Sequence, residues 1–198
     1  PETLSVVSGT ETKLRPATGK MTFCESILVL DKKPQDLGFD STIVFYNDRP
    51  KYLYREPKNL YDPSSAVICF PNNFTHDDFD EGWIRITNMA NFKLWNELER
   101  PEYKAQKELV FRDACKLTKK LLPSWDGEVV FKDIFSPTTI KKYTGHFGGT
   151  VYGSTDKSRD GSTEVGGLYL CGTDQGFLGI VGSMLSGISM ANLYGLMD

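Results

Sequence analysis

The stretch GGLYLCGTDQGFLGIVGSMLSGISMANLYG, from Gly166 to Gly195, decides how the chain is read. Leu168 to Cys171 is a short apolar run of the kind that forms a buried strand, and Gly172 ends it abruptly. Gly172, Asp174, Gly179 and Gly182 then punctuate a loop, and the residues beyond predict a helix that opens at about Gly182. Ser183, Ser186, Gly187 and Ala191 fall close to helical spacing, so one side of that helix lets another backbone or a flat ligand approach closely. Its first-turn amides lack helical acceptors and present partial positive charge, which favours a negative or electron-rich ligand. Strand, turn and helix are also joined this way simply to pack helix on sheet, so the glycines alone leave both readings open.

The order Gly-x-Asp-x4-Gly-x-x-Gly-x3-Ser-Gly narrows the choice. It resembles the C-terminal flavin-binding motif of the phytoene desaturase, carotenoid isomerase and retinol saturase group of FAD-dependent oxidoreductases. Ser136-Pro137-Thr138-Thr139 and the segment YTGHFGGTVYG, Tyr143 to Gly153, are similar to what precedes the motif in that group. The resemblance is most specific over Phe135 to Asn192, is looser back to about Ser26, and covers only the C-terminal part of such an enzyme. It implies FAD as cofactor, with Gly172, Thr173, Asp174, Gly179, Ile180, Val181, Gly182 and Ser183 against the flavin. In that frame the Asp174 carboxylate accepts a ribityl hydroxyl. The helix dipole faces the pyrimidine edge, where charge accumulates on reduction, and Gly179 and Gly182 leave room for the ring. The shorter Gly-x-Asp turn, which differs at Gln175 to Leu178 from the Pro-Gly form of many carotenoid desaturases, is nearer the saturase and isomerase branches.

Composition bounds these readings from outside. The 198 residues are enough for one large domain or two small ones. With 23 basic and 26 acidic side chains the formal charge is -3, and no basic stripe is available to neutralise nucleic-acid phosphates. Cys24, Cys69, Cys115 and Cys171 form no CxxC pair and read as buried free thiols. Residues 1–20 are polar and look unlike a signal peptide, and no apolar run reaches the roughly 18 residues of a membrane span. A cytoplasmic or peripheral-membrane location is expected, with possible contact to a bilayer surface.

Residues 1–19 read as an irregular lead-in. Ser26–Leu30, Thr42–Tyr46, Ala66–Phe70 and Trp83–Met89 are strand-like runs between turn signals, and four in succession predict an antiparallel sheet. Trp83, Arg85 and Thr87 alternate with Ile84, Ile86 and Asn88, giving that strand two faces. Asn91–Leu98 predicts a short helix. A longer one follows from Pro101 to Leu122, with Tyr103, Val110, Ala114, Leu117 and Leu121 along one face. Val129–Phe135 predicts a further strand, and Ser136-Pro137-Thr138 the start of a short turn or helix.

Other candidate sites are weaker. His76, Asp77, Asp78, Asp80 and Glu81 are the densest cluster of potential metal ligands but match no loop spacing, and a solvated loop is the better reading. No metal is expected. His146 beside Phe147-Gly148-Gly149 is either a packed histidine or a proton donor facing the flavin or substrate. No catalytic base can be named. The chain contains no Gly-x-Gly-x-x-Gly turn for the ADP half of FAD, so it supplies at most the flavin-ring half of a site.

The expected fold is α+β: an antiparallel-sheet substrate-binding region over residues 20–135, then the closing strand and helix of a Rossmann-like, glutathione-reductase-type FAD domain over 136–198. The expected function is that of the C-terminal part of an oxidoreductase acting on a long apolar polyene or isoprenoid by desaturation, saturation or isomerisation. Its expected partners are that substrate and an N-terminal FAD-binding half. Two alternatives stand beside it: a non-catalytic apolar-ligand-binding module, and an inert fragment without the dinucleotide-binding half.

Overall fold

The computed structural model describes residues 2–8, 18–75 and 79–196. Five strands, β1 (Thr22–Leu30), β2 (Ile43–Asn47), β3 (Ser65–Cys69), β4 (Gly82–Ala90) and β5 (Val129–Phe135), form one sheet in the order β2-β3-β4-β1-β5. Every pairing is antiparallel, from Thr22 opposite Ala90 at one end of the central pair to Leu30 opposite Gly82 at the other. The strand-like runs at 26–30, 42–46, 66–70, 83–89 and 129–135 each fall on one of these strands, and the helices expected over 91–98 and 101–122 fall on α2 (Phe92–Asn96) and α3 (Arg100–Leu121). Within the expected irregular lead-in, Glu2–Ser8 forms a short helix, α1.

The sheet has one covered face and one open face. Ile84, Ile86 and Asn88 alternate inward on β4; the two isoleucines join Leu28, Leu30 and Ile68 against α3, while the Asn88 amide donates to the Asp62 and Ser65 carbonyls. Val110, Ala114, Leu117 and Thr118 form the buried stripe of α3, because positions i, i+4, i+7 and i+8 share one side of a helix. Phe70, Leu122 and Trp125 close this core, and the Trp125 indole N–H donates to Asp31 at 3.0 Å. Fully burying each large apolar side chain contributes about 1.5–3 kcal/mol, so this layer holds the sheet and α3 together.

At the end of β5, α4 (Pro137–Thr144) starts with Ser136 as its cap. Proline at the first helical position and the reciprocal Ser136–Thr139 bonds satisfy its leading amides, and Gly145 ends it in the left-handed conformation. The last helix, α5, spans Gly179–Tyr194 and begins three residues earlier than the sequence predicts.

The strand expected at Leu168–Cys171 does not form. Tyr169 makes one isolated antiparallel bridge with Ser162, Cys171 is exposed, and no neighbour offers this segment a ladder. A strand of this kind needs partners on its flanks, and the five-stranded sheet does not extend to it. The cysteine reading changes with it. All four thiols are free, but only Cys24 is buried, Cys69 and Cys115 being half-buried. No helix among the described residues is long and apolar enough to cross a membrane.

Candidate functional site

The glycine-rich turn is held from inside by a buried polar relay. The Gly172 N–H donates to the Ser186 hydroxyl at 2.5 Å, Ser186 donates to the Gln175 side-chain oxygen, and the Gln175 amide donates to the Arg159 carbonyl at 2.9 Å. Ser186 is fully buried and Gln175 nearly so. Burying such groups is tolerable only because each is satisfied, which fixes the turn to α5 and to the loop at Arg159. The Phe177 N–H returns to the Gly172 carbonyl at 3.1 Å and closes the turn.

A second glycine segment packs beside the first. The Thr22 hydroxyl donates to the Gly149 carbonyl at 2.6 Å, Val151 N–H to Met21, and Gly19 N–H to Gly153, so residues 147–154 run along the approach to β1. The Ser154 N–H then donates to Asp174 Oδ1 at 2.9 Å. Gly153 has φ +63°, and a β-carbon there would strike the Asp174 carboxylate. Only glycine lets the two segments meet this closely.

Between these segments and the N-terminal approach lies a cleft of about 790 Å³. Its lining includes Gln175 to Leu178, Gly153, Ser154, Lys20, Lys157 and Arg159. The Lys157 ammonium donates to the Tyr152 carbonyl at 2.6 Å. Leu178, the residue before α5, lines the cleft and offers no side-chain cap, so the helix starts at the cleft edge with its positive end uncapped.

The open face of the sheet carries a different surface. A trough of about 610 Å³ is lined by Phe23, Phe45, Tyr52, Tyr54, Val67, Thr87, Met89, Tyr152 and their neighbours, with no charged side chain among them. The sheet register explains it: Phe23 sits opposite Met89, and Phe45, Val67 and Thr87 are successive cross-strand partners. The loop carrying Tyr52 and Tyr54 is closed at its ends by Arg49 and Asp62, which pair in two bonds of 2.7 and 2.6 Å. Burial alone pushes the Asp62 carboxyl up, but hydrogen bonds from Arg49, Ser65 and Ser64 outweigh it and hold it below the usual carboxylate range. Burial, reinforced by Tyr54, Asp62 and Tyr152, pushes the Tyr52 hydroxyl up, so it stays neutral. Tyr54 and Tyr152 line both the trough and the cleft.

No family model matches the chain. It is 30% identical over 149 residues to a chloroplastic protein of Arabidopsis thaliana, an alignment covering 68% of this chain and 25% of the relative. To a chloroplastic protein of Daucus carota it is 29% identical over 120 residues, covering 55% of this chain and 19% of the relative. Both relatives are prolycopene isomerases. The chain therefore spans a quarter or less of the length of the prolycopene isomerases it matches.

None of the residues expected to meet a flavin lines the cleft; they flank its lining residues Gln175 to Leu178 in sequence. Gly172 and Thr173 form the base of the turn, and the Asp174 carboxylate is occupied on one oxygen by Ser154. Gly182 packs against Phe177, while Gly179 faces open space, Ile180 and Val181 are exposed, and Ser183 approaches Gly172. Gln175 to Leu178, which the motif leaves as spacer, line the cleft itself. Tyr152 lies in the Tyr143–Gly153 segment quoted for the resemblance, whereas Tyr54, Lys157 and Arg159 carry no motif and reach the cleft through the fold. His146 is half-buried and lines neither cavity. Of the acidic cluster, residues 76–78 lie outside the described residues, and no group of three or more potential metal ligands converges among those described.

Proposed function

We propose that this chain is the C-terminal part of a FAD-dependent oxidoreductase that acts on a long apolar polyene or isoprenoid, and that its closest chemistry is isomerisation. The observation that carries the reading is the meeting of an uncharged aromatic trough with a cationic, glycine-walled cleft at Tyr54 and Tyr152. Similarity to two prolycopene isomerases supports the substrate class.

The cleft residues fit a flavin ring. Gly176 lines the cleft with φ +108° and has no atom within 4 Å of where a β-carbon would stand, so backbone rather than side chain borders the space. Lys20, Lys157, Arg159 and the start of α5 supply positive charge there, which suits a ring that gains electrons. FAD, when bound, supplies the electron-accepting and electron-returning chemistry. The chain's own tasks are to orient and to exclude water. The trough offers a hydrocarbon an uncharged, mainly apolar and aromatic lining in which Asn47, Ser65 and Thr87 are the small polar members, and Tyr54 and Tyr152 bring its end to the cleft.

The test is to produce the chain together with the N-terminal half of the longer protein, purify the complex, and record its absorbance and its conversion of a cis-polyene. A yellow complex that changes the isomer ratio is expected. A colourless complex, or a yellow one inert toward every polyene offered, overturns the reading. A second reading, a non-catalytic apolar-ligand module, draws on the trough alone, whose lining is almost wholly sheet and β2–β3 loop. Polyene binding without flavin in the complete protein distinguishes it.

A further inference from the structure

We propose that Tyr54 and Tyr152 are the specificity-determining pair of this site, forming the partition that decides how far an extended apolar chain passes from the trough into the cleft. The proposal rests on the reading of the trough as a polyene site. Both residues line both cavities, so the two tyrosines are the shared border. Tyr152 is fixed from two directions: Phe23 meets its ring edge-on at 6.1 Å, and Lys157 holds its carbonyl at 2.6 Å. Tyr54 approaches from the β2–β3 loop, its ring 6.4 Å from that of Tyr52.

The charges on the two sides make this wall matter. The trough has no charged side chain in its lining, so an uncharged hydrocarbon enters it without desolvating an ion. The cleft beyond holds Lys20, Lys157 and Arg159, whose hydration a hydrocarbon would disturb. A chain short enough to end at the tyrosines fills only the apolar side, whereas a longer one has to continue past them into the cleft. Discrimination by length therefore falls on these two rings rather than on the trough floor.

The test uses the 198-residue chain, kept dilute, with methyl cis-parinarate, an uncharged fluorescent polyene, as the probe. Geranylgeraniol and the longer squalene serve as competitors. Tyr152→Ala and Tyr54→Ala should each strengthen squalene about tenfold, a change of about 1.4 kcal/mol, and leave geranylgeraniol within about twofold. Tyr152→Phe, which keeps the ring, should match the parent. Phe45→Ala, on the trough wall away from the partition, should weaken both competitors alike and so assign the probe to the trough. Alanine variants that weaken both competitors equally, or change neither, overturn the proposal. Should Tyr152→Ala lose its circular-dichroism signature, Tyr54→Ala decides, since Tyr54 is 64% exposed. Failure of parinarate to bind the parent chain at all would overturn the reading of the trough itself, and the partition with it.

Discussion

At the scale of single residues, Asp174 has one task that the structure shows and a second that belongs to the proposed flavin site. Its Oδ1 accepts the Ser154 N–H and ties the two glycine segments together, which leaves Oδ2 for a ligand. Asp174→Ala removes the acceptor and should cost about 1–3 kcal/mol of stability in urea denaturation, because the Ser154 amide loses its partner. Asp174→Asn keeps a carbonyl oxygen for that amide and should be nearly neutral in the same experiment. In the flavin-loaded complex, however, the asparagine variant should bind flavin about tenfold more weakly, the loss of one charge-assisted bond. Equal flavin affinity for parent and Asp174→Asn would take the carboxylate out of the cofactor site. Asp62 gives a pH prediction of definite sign. Its folded pKa lies below the unfolded value, so its contribution is fully present above the unfolded carboxylate pKa of about 4 and is lost as pH falls through the folded value. Asp62→Asn should therefore lower stability near neutral pH and flatten the loss below about pH 4. Urea titrations at the two pH values measure both, and an unchanged acid slope would reject the assignment.

At the scale of elements, α5 is the anomaly. Only Ser186 and Met190 of its sixteen residues are buried, whereas Ile180 is 90% exposed and Val181, Met184, Leu185 and Ile188 follow around the helix. A helix apolar on nearly every side belongs in the interior of a larger structure. If its N-terminus also faces the flavin, an added carboxylate there sets like charge against the reduced ring. Ile180→Asp should lower the midpoint potential of the flavin-loaded complex, and an unmoved or raised value would detach the helix from the electrostatic role. How far each element was legible in the sequence follows from where its determinants lie. The sheet strands and α3 could be read because alternation on β4 and the Val110, Ala114, Leu117 stripe are local records of a face that is buried within this chain. Leu168–Cys171 differs for the converse reason: its apolar run suits a buried strand, but among the described residues it finds one isolated bridge and no ladder. The cleft was half legible. Glycine spacing marked the turn, but Gln175 to Leu178, Lys157 and Tyr152 reach the cavity through tertiary packing that leaves no periodic trace.

At the scale of the whole molecule, the sheet buries one face against α3 within this chain, whereas α5 leaves most of its apolar residues exposed. The exposed apolar surface of α5 should make the isolated chain self-associate, since apolar area of this kind is seldom left uncovered in monomers. Size-exclusion chromatography should show concentration-dependent aggregates, which Lys at positions 180 and 184 should reduce while also weakening assembly with an N-terminal half. A parent chain that elutes as a monomer at all concentrations would refute this. The buried relay from Gly172 through Ser186 to Gln175 adds a consequence for motion. Because the Gly172 amide is tied to a serine on α5 itself, it can be released to solvent only when the helix lifts away from the turn. Deuterium uptake at that single amide thus becomes a clock for the opening of α5, running fast in the isolated chain and slowing by orders of magnitude once a covering partner locks the helix down.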